Sequence, residues 1–359
     1  MHNILVLNAG SSSLKFKLFS QQQENFNIIT SGQFSRTNAN NPNYVINING
    51  EKISKDFTNK LSMKEILDVL QQSLVQHFSN IKVTAIGHRV VHGGDIYIKP
   101  TLVNSTVINA LKEIIYLTPI HLPHNIAPME VCGEIFKNIP QVACFDTAFH
   151  STIAPLQRTY AIPRELTEKE KIKRYGFHGL SYEYLISKLA ETHKDIATGK
   201  VIIAHLGAGA SIAALHNLKS VDTTMGLTPL EGLVMATRCG TIDPAILLYL
   251  MQKGLDYKAI TDIVYFKSGL LGVSELTPDF ATLSKSSDPR AKEAYQLFVN
   301  SITKYILWLS ATLEGIDAII FSGGIGENSS KLRQDVLNNL SWLGTKVDEA
   351  ANSNHNYTI

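Results

Sequence analysis

The chain opens on a run of apolar residues, Ile4 to Leu7, which meets a turn of small residues, Asn8 to Ser13. Leu14, Phe16 and Leu18 then alternate with Lys15 and Lys17, so the pattern predicts a strand, a tight turn and a second strand with one buried face. A second hairpin is predicted from Tyr44, Ile46 and Ile48 through a type I′ turn at Asn49-Gly50 to Ile53 and Phe57. Ser62-Met63-Lys64-Glu65 reads as a capping box opening a helix with Ile66, Leu67, Leu70, Leu74 and Phe78 at helical spacing. A strand over Val83–Ile86, a helix near Val107–Ile115, a Pro- and His-containing loop over Leu117–Asn125, a helix over Asn125–Phe136 and a strand over Val142–Phe145 follow. Residues 151–175 read as an irregular crossover, and a helix starts near Ser181.

At Val201 the opening plan returns. An apolar strand enters the turn Gly207-Ala208-Gly209-Ala210-Ser211, and an apolar strand leaves it. The recurrence predicts an internal duplication, with one α/β domain over 1–150 and a second over 151–359. Further on, a helix covers Ala245–Gln252. A long one starts with Asp288 as N-cap and Pro289 in its first turn and stops at Gly315; its apolar residues suit either the core or a dimer seam, and core is the expectation adopted. The strand Ala318–Phe321 then enters Ser322-Gly323-Gly324-Ile325-Gly326-Glu327-Asn328, and a helix follows from about Ser329 to Leu340.

With 44% hydrophobic and 18% charged residues, the 359-residue chain has the balance of a globular protein. A net charge of +2 gives no reason to expect nucleic acid or a membrane as partner. Three scattered cysteines without a CxxC pair, a short N-terminal apolar run and no membrane-length apolar stretch lead us to expect a cytoplasmic protein.

The chemistry suggested by the residues is phosphate chemistry. The Asn8–Ser13 turn offers backbone N–H groups, hydroxyls and nearby Lys15 with no bulky side chain in the way. A strand running through Gly-Gly-Ile-Gly into a helix offers backbone donors to a nucleotide. Neither a Walker GxxxxGK[ST] nor a dinucleotide GxGxxG is present, and Asp279-Phe280-Ala281 is not a protein-kinase DFG. Two phosphate hairpins with a strand–GGxG–helix site point to two duplicated actin-like (ribonuclease H-like) domains with a nucleotide cleft between them. His88 and His92, and His121 and His124, have spacings that a zinc site could use, but no carboxylate is grouped with them in ligand spacing.

Six ordered segments, NAGSSSLK at 8–15, GHRVVHGG at 87–94, FDTAFH at 145–150, RYGFHG at 174–179, TRCGTIDP at 237–244 and GGIGEN at 323–328, resemble the acetate kinase family over nearly the whole chain. The resemblance implies reversible, Mg2+-dependent (Mn2+ possible) transfer of a phosphoryl group between ATP and acetate, giving acetyl phosphate and ADP, with propionate a slower substrate and a homodimer joined through the second domains. Acetate is already ionised at neutral pH, so fixed cations matter more than a general base. By resemblance Arg89 and Arg238 are the active-site arginines, His178 donates to the transferring phosphoryl, His121 lies near it and Asp146 orients an arginine or metal-bound water. Val91, Ile120, Phe177 and Pro229 would hold the acetate methyl. Ser11, Ser13 and Lys15 fall on the phosphate side and Asn8 on the metal side. His205, Gly207, Ala208, Gly209, Asp279, Phe280, Gly323, Gly324, Ile325, Gly326 and Asn328 fall on the nucleotide side.

Three departures from the family pattern stand out. Relatives have HLGNGSS where this chain has His205 to Ser211, so Ala208 removes an amide and Ala210 a hydroxyl, which predicts weaker nucleotide binding. Ala281 replaces an arginine. The sequence also ends at Ile359, before the family's C-terminal tail and the glutamate in it that is implicated in magnesium binding. These departures support an alternative reading: a degenerate or truncated nucleotide-binding homologue with little transferase activity.

Overall fold

The computed structural model describes residues 2–23 and 25–359. It divides into two compact units, one ending at Ala148 and the other running from Phe149 to Ile359.

The first unit is built on β1 (His2–Ala9), β2 (Ser13–Gln22), β3 (Asn25–Ser35), β4 (Asn43–Ile48), β5 (Glu51–Asp56), β6 (Ala85–Val90), β7 (Thr101–Leu102) and β8 (Gln141–Phe145). Their order in the sheet is β5-β4-β3-β2-β1-β6-β8-β7. β1 to β5 form an antiparallel meander, and β6 and β8 run parallel to β1. The alternation in β2 buries Leu14, Phe16 and Leu18 and leaves Lys15 and Lys17 exposed. Asn49 (φ 53°) and Gly50 (φ 92°) both adopt positive φ, as a type I′ turn requires. The capping box forms, with Ser62 N donating to Glu65 Oε2 at 2.8 Å and Glu65 N to Ser62 Oγ at 3.3 Å. The helix it opens, Met63–His77, buries Ile66, Leu67, Leu70 and Leu74 in the same core as Leu5, Leu7, Phe16 and Ile46.

The second unit repeats the plan with β9 (Lys200–Leu206), β10 (Ala210–His216), β11 (Lys219–Thr223) and β12 (Ala318–Ser322), in the order β11-β10-β9-β12. β9 pairs antiparallel with β10 and parallel with β12. This matches β3-β2-β1-β6 in order and direction, so the duplication read from the two hairpins extends to the strands around them. Val201, Ile203, Ala213 and Leu215 pack on Tyr182, Ile186 and Leu189 of the helix Gly179–Thr192. The long helix Pro289–Leu313 packs against β9, β10 and β11. Its N-cap is Asp288, whose carboxylate accepts from Arg290 N at 2.8 Å, and it buries Phe298, Ile302, Ile306 and Leu309, so it is a core helix. No helix among the described residues is long and apolar enough to cross a membrane.

Several elements differ from the sequence expectation. β3, β7 and β11 are additional strands. β3 reads NFNIITSGQFS, rich in turn-type residues, and buries only Thr30 and Phe34; hydrogen bonds from β2 and β4 hold it. The helix expected from Asn125 starts at Leu122, since Pro123 sits in its first turn, where its missing N–H has no helical partner to lose. The crossover 151–175 contains short helices at Pro155–Arg158 and Arg164–Lys169. Gly323–Asn328, read as preceding a helix from about Ser329, is itself a helical segment, which Asn328 Nδ2 stitches to Gly324 O at 2.9 Å.

His88, on β6, is 2% exposed. Gln141 lies 2.7 Å from its Nε2. With its amide nitrogen facing the imidazole, Gln141 also donates to Met129 O at 3.2 Å and accepts from Gly133 N at 3.1 Å. Burial lowers the His88 pKa to about 4. The folded state therefore resists a proton that the unfolded chain accepts below its ordinary value of 6.5. Stability from this group is complete above that value and is lost as pH falls toward 4. Urea unfolding of wild type and His88→Gln at pH 7 and about pH 4.5 tests this: wild type should lose about 2 kcal/mol more than the variant between the two pH values. Equal losses would count against it.

Candidate active site

In the first unit, three parallel strands deliver three side chains to one edge. Leu7 pairs with His88 and Arg89 with Cys144, so Asn8 and Arg89 stand at the C-terminal ends of β1 and β6, and Asp146 directly follows β8. Arg89 Nε donates to both Asp146 oxygens at 3.1 Å, and Nη2 donates to Oδ2 at 2.6 Å. Arg89 Nη1 donates to Asn8 Oδ1 at 3.2 Å. Asp146 is 1% exposed, and its carboxylate holds the Arg89 guanidinium above its ordinary pKa. The aspartate therefore orients an arginine, and the Asn8 oxygen, expected on the metal side, accepts from that same arginine. Lys15 is the register partner of Asn8 and shares its face, while Ser11 and Ser13 lie half-buried in the turn closed by Gly10 N on Ser13 O at 2.8 Å.

A residue that sequence reasoning missed fixes this edge. Asn125, buried on the helix Leu122–Ile135, accepts from Val91 N at 2.8 Å and donates to Ala9 O at 2.7 Å, tying the ends of β1 and β6 together. Val91 is buried beside it, whereas Ile120 and His121 are half-buried just before the helix, with His121 at its N-cap.

In the second unit, His178 is the N-cap of Gly179–Thr192 and takes left-handed backbone angles, φ 60° and ψ 18°. Its Nδ1 is 2.9 Å from Ser211 Oγ, and its ring lies 4.6 Å from that of His205, whose Nδ1 meets Ser181 Oγ at 2.9 Å. Arg238 Nη1 donates to Pro229 O at 3.0 Å. A Cβ added to Gly209 would lie 3.5 Å from Arg238 Nη1 and 3.6 Å from His178 Nε2, so both side chains border the second glycine turn. Phe177 and Pro229 are buried, and the Phe177 carbonyl bonds His150 Nε2 at 2.9 Å. Arg174, quoted in a motif but given no role by the sequence, donates through Nη2 to Glu231 Oε1 at 2.9 Å and through Nη1 to the carbonyls of Thr223, Thr224 and Met225. Tyr160 completes the cluster by donating to Glu231.

A cavity of about 500 Å³ in the same unit is lined by Ala208, Asp279, Phe280, Gly324, Ile325 and Asn328, with Ala281, Lys285 and Lys331. Six of the residues expected on the nucleotide side thus share one cavity of ligand size. Two of them carry other duties. Asp279 caps the helix Phe280–Lys285, accepting from Thr282 N at 2.8 Å and Thr282 Oγ1 at 2.6 Å. Phe280 is buried against Tyr295 and Phe298. Ala210 is fully buried in β10, so the hydroxyl expected to be missed by a ligand would face the sheet interior; Ala208, by contrast, is exposed at the cavity. Gly207 is half-buried beside it, and Gly326 packs on Leu206 and Phe321. No group of three or more His, Cys, Asp or Glu side chains that could hold a metal occurs among the described residues.

The sequence profile of the acetokinase family matches residues 3–358. The chain belongs to the acetokinase family. It is similar to the acetate kinase of Rhodopseudomonas palustris, with 42% identity over 98% of this chain and 89% of that protein. Among solved structures it is similar to a propionate kinase from Francisella tularensis, with TM-score 0.93 and 39% identity over 99% of this chain and 92% of that one. It is also similar to the acetate kinase of Porphyromonas gingivalis, with TM-score 0.88 and 32% identity over 98% and 90%. The six motifs and the two-unit α/β fold thus belong to a member of this family.

The adjacent glycines of the GGIGEN segment separate a folding role from a binding role. Gly323 has φ 78°, and a Cβ there would lie 2.6 Å from Leu206 O, whereas a Cβ on Gly324 would meet nothing within 4 Å. Gly323→Ala should cost about 2 kcal/mol or more in urea unfolding, from the positive φ and the clash. Gly324→Ala should stay within about 0.5 kcal/mol of wild type. Equal costs would contradict this division.

Proposed function

We propose that this chain transfers a phosphoryl group between ATP and acetate. The observation that carries the reading is the pair formed by Arg238 Nη1 and His178 Nε2 at the Gly209 turn, in the unit whose cavity gathers the nucleotide-side residues. An acetate oxygen forms a bond to the γ-phosphorus, the bond from that phosphorus to the β–γ bridging oxygen breaks, and its electron pair leaves with ADP. Acetate needs no deprotonation, so the protein's work is to bring an anion to a polyanion and to stabilise charge on the transferring group. Arg238 and His178 supply donors to that group. Arg89, prepositioned by Asp146, offers a planar fork suited to carboxylate or phosphoryl oxygens. Ser11, Ser13 and Lys15 serve phosphate oxygens and His121 assists; on each unit apolar residues, Val91 and Ile120 on one and Phe177 and Pro229 on the other, are suited to the seat of an acetate methyl. Such a seat separates one methylene only weakly, so propionate is a slower substrate.

Mg2+ fits this donor set only as an ion carried largely by nucleotide phosphates and water, since Asp146 is committed to Arg89 and no three-ligand cluster is present among the described residues. Asn8 and Asp146 would hold it through water, and the bound ion would neutralise phosphate charge. Three scattered cysteines without a CxxC pair suit a reducing, cytoplasmic setting. The homodimer implied by the family finds support in the helix Ala245–Gln252, AILLYLMQ, which buries no residue. Leu248 (62% exposed), Tyr249 and Met251 lie on it, and Tyr257 (79%) and Phe266 are exposed nearby in sequence. An apolar surface of this kind is suited to a second copy of the chain.

The activity is tested by trapping acetyl phosphate with hydroxylamine from acetate, Mg·ATP and folded protein; background product would overturn it. In the same assay Arg238→Ala should lower kcat on the order of a hundredfold with acetate KM changed far less. An unchanged kcat would remove Arg238 from the chemistry. For the dimer, sedimentation should show wild type as dimer and Leu248→Glu shifted to monomer at micromolar concentration; a monomeric wild type would end that part of the proposal.

A further inference from the structure

The side chain that orients His178 lies across the unit from the helix that carries it. Ser211, fully buried as the second residue of β10, has its Oγ 2.9 Å from His178 Nδ1 and 2.5 Å from the hydroxyl of Tyr182, itself fully buried. Tyr182 stands one helical turn beyond His178, so the three groups form a closed chain: histidine at the helix cap, serine on the strand, tyrosine back on the helix. An imidazole that donates from Nε2 while neutral must accept at Nδ1. A phenolic hydroxyl is a stronger acid than an aliphatic one, so in a short Tyr–Ser bond the tyrosine is the donor. The serine proton is then available to His178 Nδ1.

We propose that Ser211 and Tyr182 are positioning residues for His178. Tyr182 donates to Ser211, Ser211 donates to Nδ1, and the imidazole is held as its Nε2–H tautomer, with Nε2 on the side of Gly209 and Arg238 Nη1. The His205 ring, held by Ser181, backs the imidazole at 4.6 Å and limits its rotation. The left-handed backbone of His178 fits this account, because a non-glycine residue keeps such angles only where its surroundings over-determine them. The role assigned to the tautomer rests on the reading that His178 donates to the transferring phosphoryl.

The test uses the full chain labelled with nitrogen-15 histidine, with His178 assigned by comparison with His178→Gln. Long-range proton–nitrogen correlation at about pH 8, where imidazole is neutral, distinguishes the tautomers without reference to activity. Wild type should show Nε2 as the protonated nitrogen and Nδ1 as the acceptor. Ser211→Ala and Tyr182→Phe should mix the tautomers and lower kcat on the order of a hundredfold, the effect of losing one oriented donor, with little change in KM for acetate or ATP. Ser211→Thr, which keeps the hydroxyl, should restore the wild-type spectrum and most of kcat. A wild type protonated at Nδ1, or a His178 spectrum unchanged in folded Ser211→Ala and Tyr182→Phe, would overturn the relay. A held Nε2–H tautomer in a wild type without transfer activity would leave the relay standing and remove the phosphoryl-transfer reading instead.

Discussion

Both units depend on one non-local constraint: the first strand of a meander must pair in parallel with a strand that arrives much later. Ile4 to Leu7 take Ala85 to His88 as partners, and Val201 to His205 take Ala318 to Ser322. Parallel pairing aligns the C-terminal ends of the strands, and loops leaving those ends share one edge of the sheet, where α/β folds place ligands. In the first unit this constraint brings Asn8, Arg89 and Asp146 together. In the second it sets the glycine turn after β9 beside the GGIGEN segment after β12, with Gly323 pressed against the Leu206 carbonyl.

The electrostatics follow from that edge. A carboxylate as buried as Asp146 requires a partner, since an uncompensated buried charge costs about 3–5 kcal/mol. Arg89 meets that need and is in turn prevented from swinging away. The same economy recurs at Arg174, whose fork spans Glu231 and three successive carbonyls and so fixes the segment leading to Pro229, the acceptor that orients Arg238. Arg89 and Arg238 are thus each held by groups that are themselves held. Such preorganisation leaves little reorganisation for the moment when charge develops on a substrate.

The two copies of the fold have diverged in content while keeping their strand plan. The first hairpin keeps serines and a lysine beside its turn. The second has only glycine and alanine before Ser211, and Ser211 itself points into the protein, toward His178 and Tyr182. The second unit holds a cavity assembled from the Ala208 turn, the Asp279 helix and the GGIGEN segment. Family membership, the strand plan and the clustered side chains agree on phosphoryl chemistry.

What the sequence determined was whatever short-range periodicity and turn chemistry encode. The two hairpins, the Asn49-Gly50 turn, the Ser62–Glu65 capping box, the Asp288 cap and the helix Ala245–Gln252 were all legible, because each depends on residues within a few positions of one another. The six motifs marked Arg89, Asp146, His178 and Arg238 through their resemblance to a family, each motif being a run of adjacent residues. What only the tertiary structure decided was set by partners far apart in the chain. β3 is a strand because β2 and β4 supply its hydrogen bonds, not because its own residues favour one. Asn125 matters because it reaches Ala9 and Val91, and Ala210 proved to be an interior residue of β10. The tyrosine–serine–histidine chain joins a helix to a strand 33 residues away from His178. No local pattern records a hydrogen bond across that distance, since its partners meet only after the sheet has closed.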